Sequence, residues 1–356
     1  MKGMKHLKKN KAYFNIMRVA ALIRNGNANQ AFEIRESEKP KLDPLDVLIK
    51  VEAFGLNFAD VMARKGMYAA APPIPAILGY DVVGEVVESS CSEGMSLIGK
   101  RVVAMTRFGG YAEFAKTDYR ACAVISDQMN AAAATALATQ YCTAYYAAYE
   151  CTSLFEGDRI LIHAAAGGVG TAITQLAKLK GCEVYGLTST DVKMGYLKSQ
   201  GVDYPINHVH EDYVAQVFKH SKGQKIDVAF NSVGGSTFKK DTQLLGKGGK
   251  QVIYGAAELA DSRGNIFSKL NLVRKFGFYT PISLLSKSQG IIGINMLEIA
   301  DHKKMVLKRC LEEVVKLTEA GKLKPEVGGE FPINKIGEAH AFLEGRNSTG
   351  KIVVKW

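Results

Sequence analysis

Ile160-Leu161-Ile162-His163-Ala164-Ala165-Ala166-Gly167-Gly168-Val169-Gly170 decides how the chain is read. An apolar run with the length of a buried strand stops at a glycine-rich turn, and Thr171 to Leu179 then repeats apolar residues at helical spacing. A strand, a tight turn and a helix start make the arrangement that holds a dinucleotide pyrophosphate. Glycine lets the backbone approach the phosphates, and free N–H groups at the helix N-terminus hydrogen-bond the anion. Ala165, Gly167, Gly168, Val169 and Gly170 are therefore candidate cofactor contacts. Ala165 stands where the G-x-G-x-x-G fingerprint has its first glycine, so the match is Ala-x-Gly-x-x-Gly. The alternative is a glycine-rich turn that only packs a helix on a strand.

Downstream, strands and helices alternate. Glu183–Leu187 reads as the second strand and Val192–Gln200 as a helix closed by Gly201. Asp227–Asn231 is a further strand. Leu244–Gly249 reads as a turn into the strand Lys250–Tyr254, and His302–Ala320 as one amphipathic helix. Strands separated by helices predict a parallel, doubly wound sheet with right-handed crossovers. Upstream, from Val19 to about Tyr141, short strands divided by Gly and Pro predict a β-rich, barrel-like domain. Val47–Ala53, Val82–Glu88 and Arg101–Ala104 are its clearest strands.

The 356 residues suffice for two domains, and an apolar fraction of 47% with 23% charged residues is ordinary for a globular chain. The net charge of +11 suggests nucleic acid until it is located. Lys2, Lys5, Lys8, Lys9 and Lys11 lie in the first sixteen residues, which hold no acid; without those five the charge is +6. Residues 1–16 are expected to be a basic, disordered extension, with Met17 opening the folded part. That segment lacks the apolar core of a secretory signal, and no run approaches the roughly 20 apolar residues of a membrane span. The six cysteines show no C-x-x-C or zinc-ribbon spacing, which argues against structural zinc and for a reducing, cytoplasmic location.

A series of motifs carries a resemblance. It comprises Gly55-Leu56-Asn57-Phe58-Ala59-Asp60 with Arg64-Lys65-Gly66-Met67-Tyr68, then Leu78-Gly79-Tyr80-Asp81, Gly109-Gly110-Tyr111-Ala112-Glu113 and Tyr141-Cys142-Thr143-Ala144-Tyr145. Ala164–Gly170, Ser232-Val233-Gly234-Gly235, Gly321–Pro325, Glu338-Ala339-His340 and Gly350-Lys351-Ile352-Val353 follow in order. The chain resembles the zinc-independent quinone-oxidoreductase branch of the medium-chain dehydrogenase/reductase superfamily. Its Ser262–Met296 segment is most like the vesicle amine transport protein subgroup. The resemblance implies an α/β fold: a β-rich GroES-like barrel domain (17–140 and 296–356) plus a Rossmann doubly wound parallel-sheet domain (141–295).

In zinc alcohol dehydrogenases of this superfamily a Cys and a His hold the catalytic metal. Asn57 and Tyr80 take those places here, and neither an amide nor a phenol is a usual zinc ligand, so no metal is expected. Without a Lewis acid, the oxygen that gains charge as hydride arrives needs hydrogen-bond donors, and Asn57 and Tyr68 can supply them. The resemblance places both beside the nicotinamide. Asp60 and Arg64 are expected to pair and orient this loop, and Met62 replaces a tyrosine common in the family's site.

An acid ending the second strand would bind the ribose of NAD. Thr188-Ser189-Thr190 occupies that place, with Lys193 beyond it, and small hydroxyls with a cation suit a 2′-phosphate, so NADPH is favoured over NADH. Asp191 is the complication. The resemblance adds Arg346 and His208 near that phosphate, and Thr143, Gly255 and Ala256 along the nicotinamide ribose. His163 reads as a packing or hydrogen-bonding residue under the turn.

The expected function is an NADPH-dependent reductase that transfers hydride to a quinone or an α,β-unsaturated carbonyl. The alternatives are an enoyl-thioester reductase, and a membrane-associated scaffold or regulatory protein that keeps NADPH binding and uses the basic N-terminus on anionic membranes. A homodimer is expected through the sheet edge around Phe276–Pro281. A nucleic-acid partner is disfavoured because basic and aromatic residues do not interleave.

Overall fold

The computed structural model describes residues 15–257 and 274–356. Most of the basic segment 1–16 and the first part of Ser262–Met296 lie outside the described residues; Ile16, however, already opens the first strand. The chain divides into two compact units. One runs to Thr139 and adds 307–315 and 327–356; the other holds 140–306 and 316–326. The sequence placed all of 296–356 with the barrel, whereas 296–306 and 316–326 group with the nucleotide unit. Gln175 is one cause for the second stretch. Its carboxamide donates to the Lys324 carbonyl at 2.9 Å and accepts the Lys324 N–H at 2.9 Å.

Among the described residues the first unit holds eight strands up to Val124: β1 (Ile16–Leu22), β2 (Phe32–Glu38), β3 (Asp46–Leu56), β4 (Ala76–Ile77), β5 (Asp81–Ser89), β6 (Arg101–Met105), β7 (Phe114–Asp118) and β8 (Cys122–Val124). β15 (Val327–Pro332) and β16 (Lys351–Lys355) return to it from the C-terminus. They form a three-stranded sheet, β2-β1-β4, and a seven-stranded sheet, β15-β16-β3-β5-β6-β8, with β7 also on β3. Residues two apart share a face of a strand, so Val47, Ile49 and Val51 of β3 enter one core with Val82 and Val86, Val102 and Ala104, and Ile352 and Val354. β3 is long enough to pair β7 with its first half and β16 with its last four residues, which brings the start of β16 to the C-terminal end of β3.

The second unit is built on β9 (Arg159–Ile162), β10 (Glu183–Thr188), β11 (Tyr204–Asn207), β12 (Ile226–Asn231), β13 (Leu245–Ile253) and β14 (Gly290–Gly293). All pairings are parallel, in the order β11-β10-β9-β12-β13-β14. This is the doubly wound order in which the first strand lies at the centre, beside the point where the winding reverses. Of Leu244–Gly249, read as a turn, Leu244 ends the helix Ser236–Leu244 and Leu245–Gly249 belong to β13. Leu245 pairs with Ile226 and Lys250 with Val228, so four residues bulge out of the ladder between them. The helix expected over His302–Ala320 is found as Lys304–Glu319; His302 instead ends the preceding helix Met296–His302, and Lys303 between them leaves the helical region (φ −131°, ψ 48°). Phe276–Pro281 is not a sheet edge: it leads into the short helix Pro281–Leu285, and among the described residues β11 and β14 are the edge strands.

A buried carboxylate ties this sheet together. Asp241, on the helix Ser236–Leu244 and fully buried, accepts from His163 Nε2 at 2.9 Å, Tyr213 Oη at 2.8 Å, Asn231 Nδ2 at 2.5 Å and Gln251 Nε2 at 3.3 Å. His163 is thus the hydrogen-bonding residue beneath the turn. Asp241→Ala leaves four donors around an empty site, and the expected loss of unfolding free energy is about 3 kcal/mol or more. A urea midpoint equal to that of the parent would show that the carboxylate contributes nothing.

Candidate functional site

The parallel sheet presents its loops at one edge, beyond the C-terminal ends of the strands, where open α/β sheets bind ligands. The turn after β9 is anchored on both sides: the His163 N–H donates to Phe230 O at 2.9 Å and the Ala165 N–H to Leu187 O at 3.0 Å. Ala164 takes the left-handed conformation (φ 48°) and faces solvent, so the position after it needs no glycine. The methyl of Ala165 is buried and stands 3.1 Å from where a Cβ on Gly186 would lie; a glycine in β10 makes room for the alanine that breaks the fingerprint. Gly170 cannot be changed in the same way. A Cβ there would stand 2.5 Å from Ala164 O and 2.7 Å from Ala165 Cα.

Gly167 caps the helix Gly168–Leu179 without a side chain, and Gly167, Gly168 and Val169 are half-exposed. The first N–H groups of an α-helix have no intrahelical acceptor, and they carry the positive end of its dipole. Beside Gly168 lies the carboxamide of Gln140, whose Oε1 is buried without a hydrogen-bond partner among the described residues. An anion at the helix N-terminus and a hydroxyl near Gln140 fit this cradle, as a dinucleotide provides.

Ser189 follows β10 directly, and Lys193 sits in the next helical turn with its ammonium disfavoured by partial burial. Thr188 pairs with Asn207 across β10 and β11, and the His208 N–H bonds Thr188 O at 3.1 Å, so Ser189 and His208 leave adjacent strand ends together. The Asp191 carboxylate accepts Asn207 Nδ2 at 2.8 Å, which pins the one nearby acid against β11. Gly255 and Ala256 follow β13. A Cβ on Gly255 would stand 2.7 Å from Ser232 O, so this loop lies directly on the one after β12. Thr143 is buried in the helix Cys142–Tyr145 of the same unit. Arg346 belongs to the other unit, exposed and at φ 57° just past the helix Ile336–Glu344.

In the first unit Asn57 follows β3 and caps the helix Phe58–Arg64. Its backbone N–H donates to Asp60 Oδ2 at 2.8 Å. Its side chain is only 7% exposed and doubly engaged: Nδ2 donates to Asp81 Oδ2 at 2.6 Å, and Oδ1 accepts from Lys351 Nζ at 2.9 Å. Lys351 and Asp81 form a fully buried ion pair, and Thr139 Oγ1 donates to the other Asp81 oxygen. The expected Asp60–Arg64 pair is not formed. The Arg64 guanidinium reaches Gly26 O and the Glu344 carboxylate, while Asp60 accepts N–H groups from Asn57 and Gly79.

Burial pushes the Asp60 carboxyl up to about 7. The two backbone donors and Lys351 oppose this rise, and the Asp81 charge adds to it. Tyr80 is buried with its ring 5.0 Å from Phe108, and its hydroxyl has no geometric partner among the described residues. Burial raises that phenol strongly, and Asp60 and Tyr68 raise it further, so Tyr68 and Asp60 both lie within electrostatic reach of Tyr80. Tyr68 itself packs, half-buried, against the barrel core. His340 is held neutral: burial first, then Arg64, push it down to about 3, and its Nε2 lies 3.1 Å from Tyr111 Oη. Lys351, Asp81 and Thr139 were missed as site residues. The signal was a charge opening an otherwise apolar strand, at Asp81 before Val82-Val83 and at Lys351 before Ile352-Val353-Val354.

Residues 43–150 match the alcohol dehydrogenase GroES-like domain family and residues 168–308 the zinc-binding dehydrogenase family. The synaptic vesicle membrane protein VAT-1 homologue of Rattus norvegicus is 31% identical over 90% of this chain and 79% of its own length. That of Danio rerio is 32% identical over 89% of this chain and 65% of its own length, just under two thirds. Human quinone oxidoreductase is 28% identical over 86% of this chain and 88% of its own. Among solved structures, a human VAT-1 homologue-like protein aligns over 96% of this chain and 98% of its own with TM-score 0.82 and 25% identity. A mycobacterial protein complexed with NADPH shares the fold over 96% of this chain and 100% of its own, with TM-score 0.80 and 24% identity. The chain belongs to the medium-chain dehydrogenase/reductase superfamily, in the branch of the VAT-1 homologues and quinone oxidoreductases. In general terms that membership makes it an oxidoreductase with a nucleotide cofactor. No helix among the described residues is long and apolar enough to cross a membrane.

The raised Asp60 pKa has a sign that can be checked. The folded state holds the proton to about pH 7 while the unfolded chain releases it near 3.8, so this group takes stability away as pH rises between those values. Asp60→Asn removes the titration. Relative to the variant, the parent should lose roughly 2–3 kcal/mol of unfolding free energy between pH 5 and pH 8. Parallel urea curves at the two pH values would contradict it.

Proposed function

We propose that the protein is an NADPH-dependent, zinc-independent reductase that delivers hydride to a quinone or an α,β-unsaturated carbonyl compound. The observation that carries the reading is the edge of the parallel sheet, where one row of loops offers a helix N-terminus for a pyrophosphate and a Ser189–Lys193 segment for a 2′-phosphate. Asp191 faces Asn207 there, which favours NADPH over NADH. Ala165, Gly167, Gly168, Val169 and Gly170 hold the pyrophosphate, and Thr143, Gly255 and Ala256 line the nicotinamide ribose. Ser189, Lys193, His208 and Arg346 receive the 2′-phosphate. Bound nicotinamide supplies the hydride.

The chain's own part is to stabilise charge on the acceptor oxygen. Asn57 has one Nδ2 hydrogen beyond the one given to Asp81, and Tyr68 has a phenol. Tyr80, buried beside Tyr68, stays protonated at any physiological pH and keeps negative charge away from that phenol. Asn57 and Tyr80 at the positions of metal ligands support a metal-independent reaction. A homodimer accompanies this reading.

The test is NADPH oxidation followed by absorbance with a panel of quinones and enones, before and after dialysis against a chelator. The expected result is turnover with at least one acceptor, insensitive to the chelator, with NADPH preferred over NADH. Lys193→Ala should raise the KM for NADPH about tenfold and change that for NADH little. Tight NADPH binding with no turnover on any acceptor would favour the scaffold reading, and failure to bind either nucleotide would overturn both.

A further inference from the structure

We propose that Lys351 is a positioning residue for this reduction: paired with Asp81, it fixes which way the Asn57 amide faces. The inference rests on the reductase reading. An asparagine side chain has two orientations that differ by exchange of its oxygen and nitrogen, nearly equal in shape. Here the two are far apart in energy. Oδ1 faces the Lys351 ammonium at 2.9 Å and Nδ2 faces the Asp81 carboxylate at 2.6 Å. Flipping the amide would set Nδ2 against a cation and Oδ1 against an anion, turning both contacts repulsive at a site closed to water.

The fixed orientation leaves the second Nδ2 hydrogen as the donor that is not engaged among the described residues. The ammonium on the amide oxygen also polarises that N–H, while Asp81 keeps the group as a whole neutral. An amide donor that needs no reorientation as charge develops is what preorganised oxyanion stabilisation requires. The backbone makes room for the arrangement: a Cβ on Gly55, opposite Asp81 in the ladder, would overlap the Lys351 side chain at Cε. Thr139 fixes the remaining Asp81 oxygen, so the carboxylate cannot turn away from the amide.

Lys351→Met alone would strand a buried carboxylate, so the informative variant is Lys351→Met with Asp81→Asn, which removes both charges and keeps the volume. Its kcat with NADPH and the best acceptor should fall about 10- to 100-fold while the NADPH Kd and acceptor KM stay within about twofold. Adding Asn57→Ala to that background should cost little more, because a misoriented amide no longer contributes. An unchanged kcat in the double variant, with a large loss for Asn57→Ala alone, would overturn the proposal. A second readout does not depend on turnover. The two Asn57 Nδ2 proton resonances should be widely separated in the parent, with the carboxylate-bound one downfield, and should draw together in the double variant. If the parent turns over no acceptor but the resonances behave in this way, the positioning stands and the reductase reading fails. If they remain separated in the variant, the positioning role is wrong.

Discussion

A lysine and an aspartate with no solvent exposure meet where three strands of the seven-stranded sheet come together. Lys351 opens β16, Asp81 opens β5 and Asn57 follows the last residue of β3. Removing two charges from water costs about as much as their attraction returns, so such a pair adds little net stability. Its effect is directional. A register slip of β16 or β5 against β3 would leave a charge buried without its partner, at a cost no repacking of Val353 or Val82 could offset. The pair therefore discriminates against wrong registers, and the same contacts that select the register fix the Asn57 amide.

The nucleotide unit meets its own polar demand with a second buried carboxylate. Loops at the C-terminal edge of a parallel sheet leave donors that neither a helix nor a ladder satisfies. Asp241 gathers side chains from just beyond β9, from β12, from β13 and from the helix Tyr213–His220. Asn231 extends the network upward: its Oδ1 accepts the N–H groups of Val233 and Gly234 at 2.8 Å each, shaping the loop after β12. The edge that offers an anion its N–H groups is thereby held from below by one carboxyl group, whose oxygens four side-chain partners satisfy under the strand ends.

The doubly wound sheet was legible because buried parallel strands leave a strong trace: apolar runs ending in glycine or a small polar residue, as at Ile162, Leu187 and Asn231. The barrel strands were legible from their alternation. What failed did so where tertiary contacts outrank local pattern. His302 was read into the helix that Lys304 opens, since nothing local marks the departure of Lys303 from helical geometry. The Gly246–Gly249 bulge has turn chemistry and lies within a strand because its flanks both pair with β12. Asp60 and Arg64 are four residues apart, the spacing of a helical ion pair, but Arg64 is drawn away by Glu344, 280 residues later in the chain. Partners that distant leave no mark in a short window. Lys351 was hidden for the same reason, since its meaning depends on Asp81 and Asn57 lying beside it.

On the proposed reading, the charge balance of the first unit also bears on which acceptors suit it. A divalent metal on a carbonyl oxygen would bring two positive charges to the developing alkoxide. Asn57 brings a polarised N–H, backed by an ammonium that Asp81 already neutralises, and Tyr68 brings a neutral phenol. The nearby Asp60 carboxyl, raised to about 7, adds no full negative charge at neutral pH, which avoids repelling the acceptor. Neutral donors of this kind stabilise a delocalised oxyanion better than a localised alkoxide, because the charge each must meet is smaller. An enolate or a quinol anion spreads its charge over a conjugated system; the alkoxide of a simple ketone does not. The residues that replace the metal ligands thus fit an acceptor whose own conjugation supplies the activation that a Lewis acid would otherwise provide.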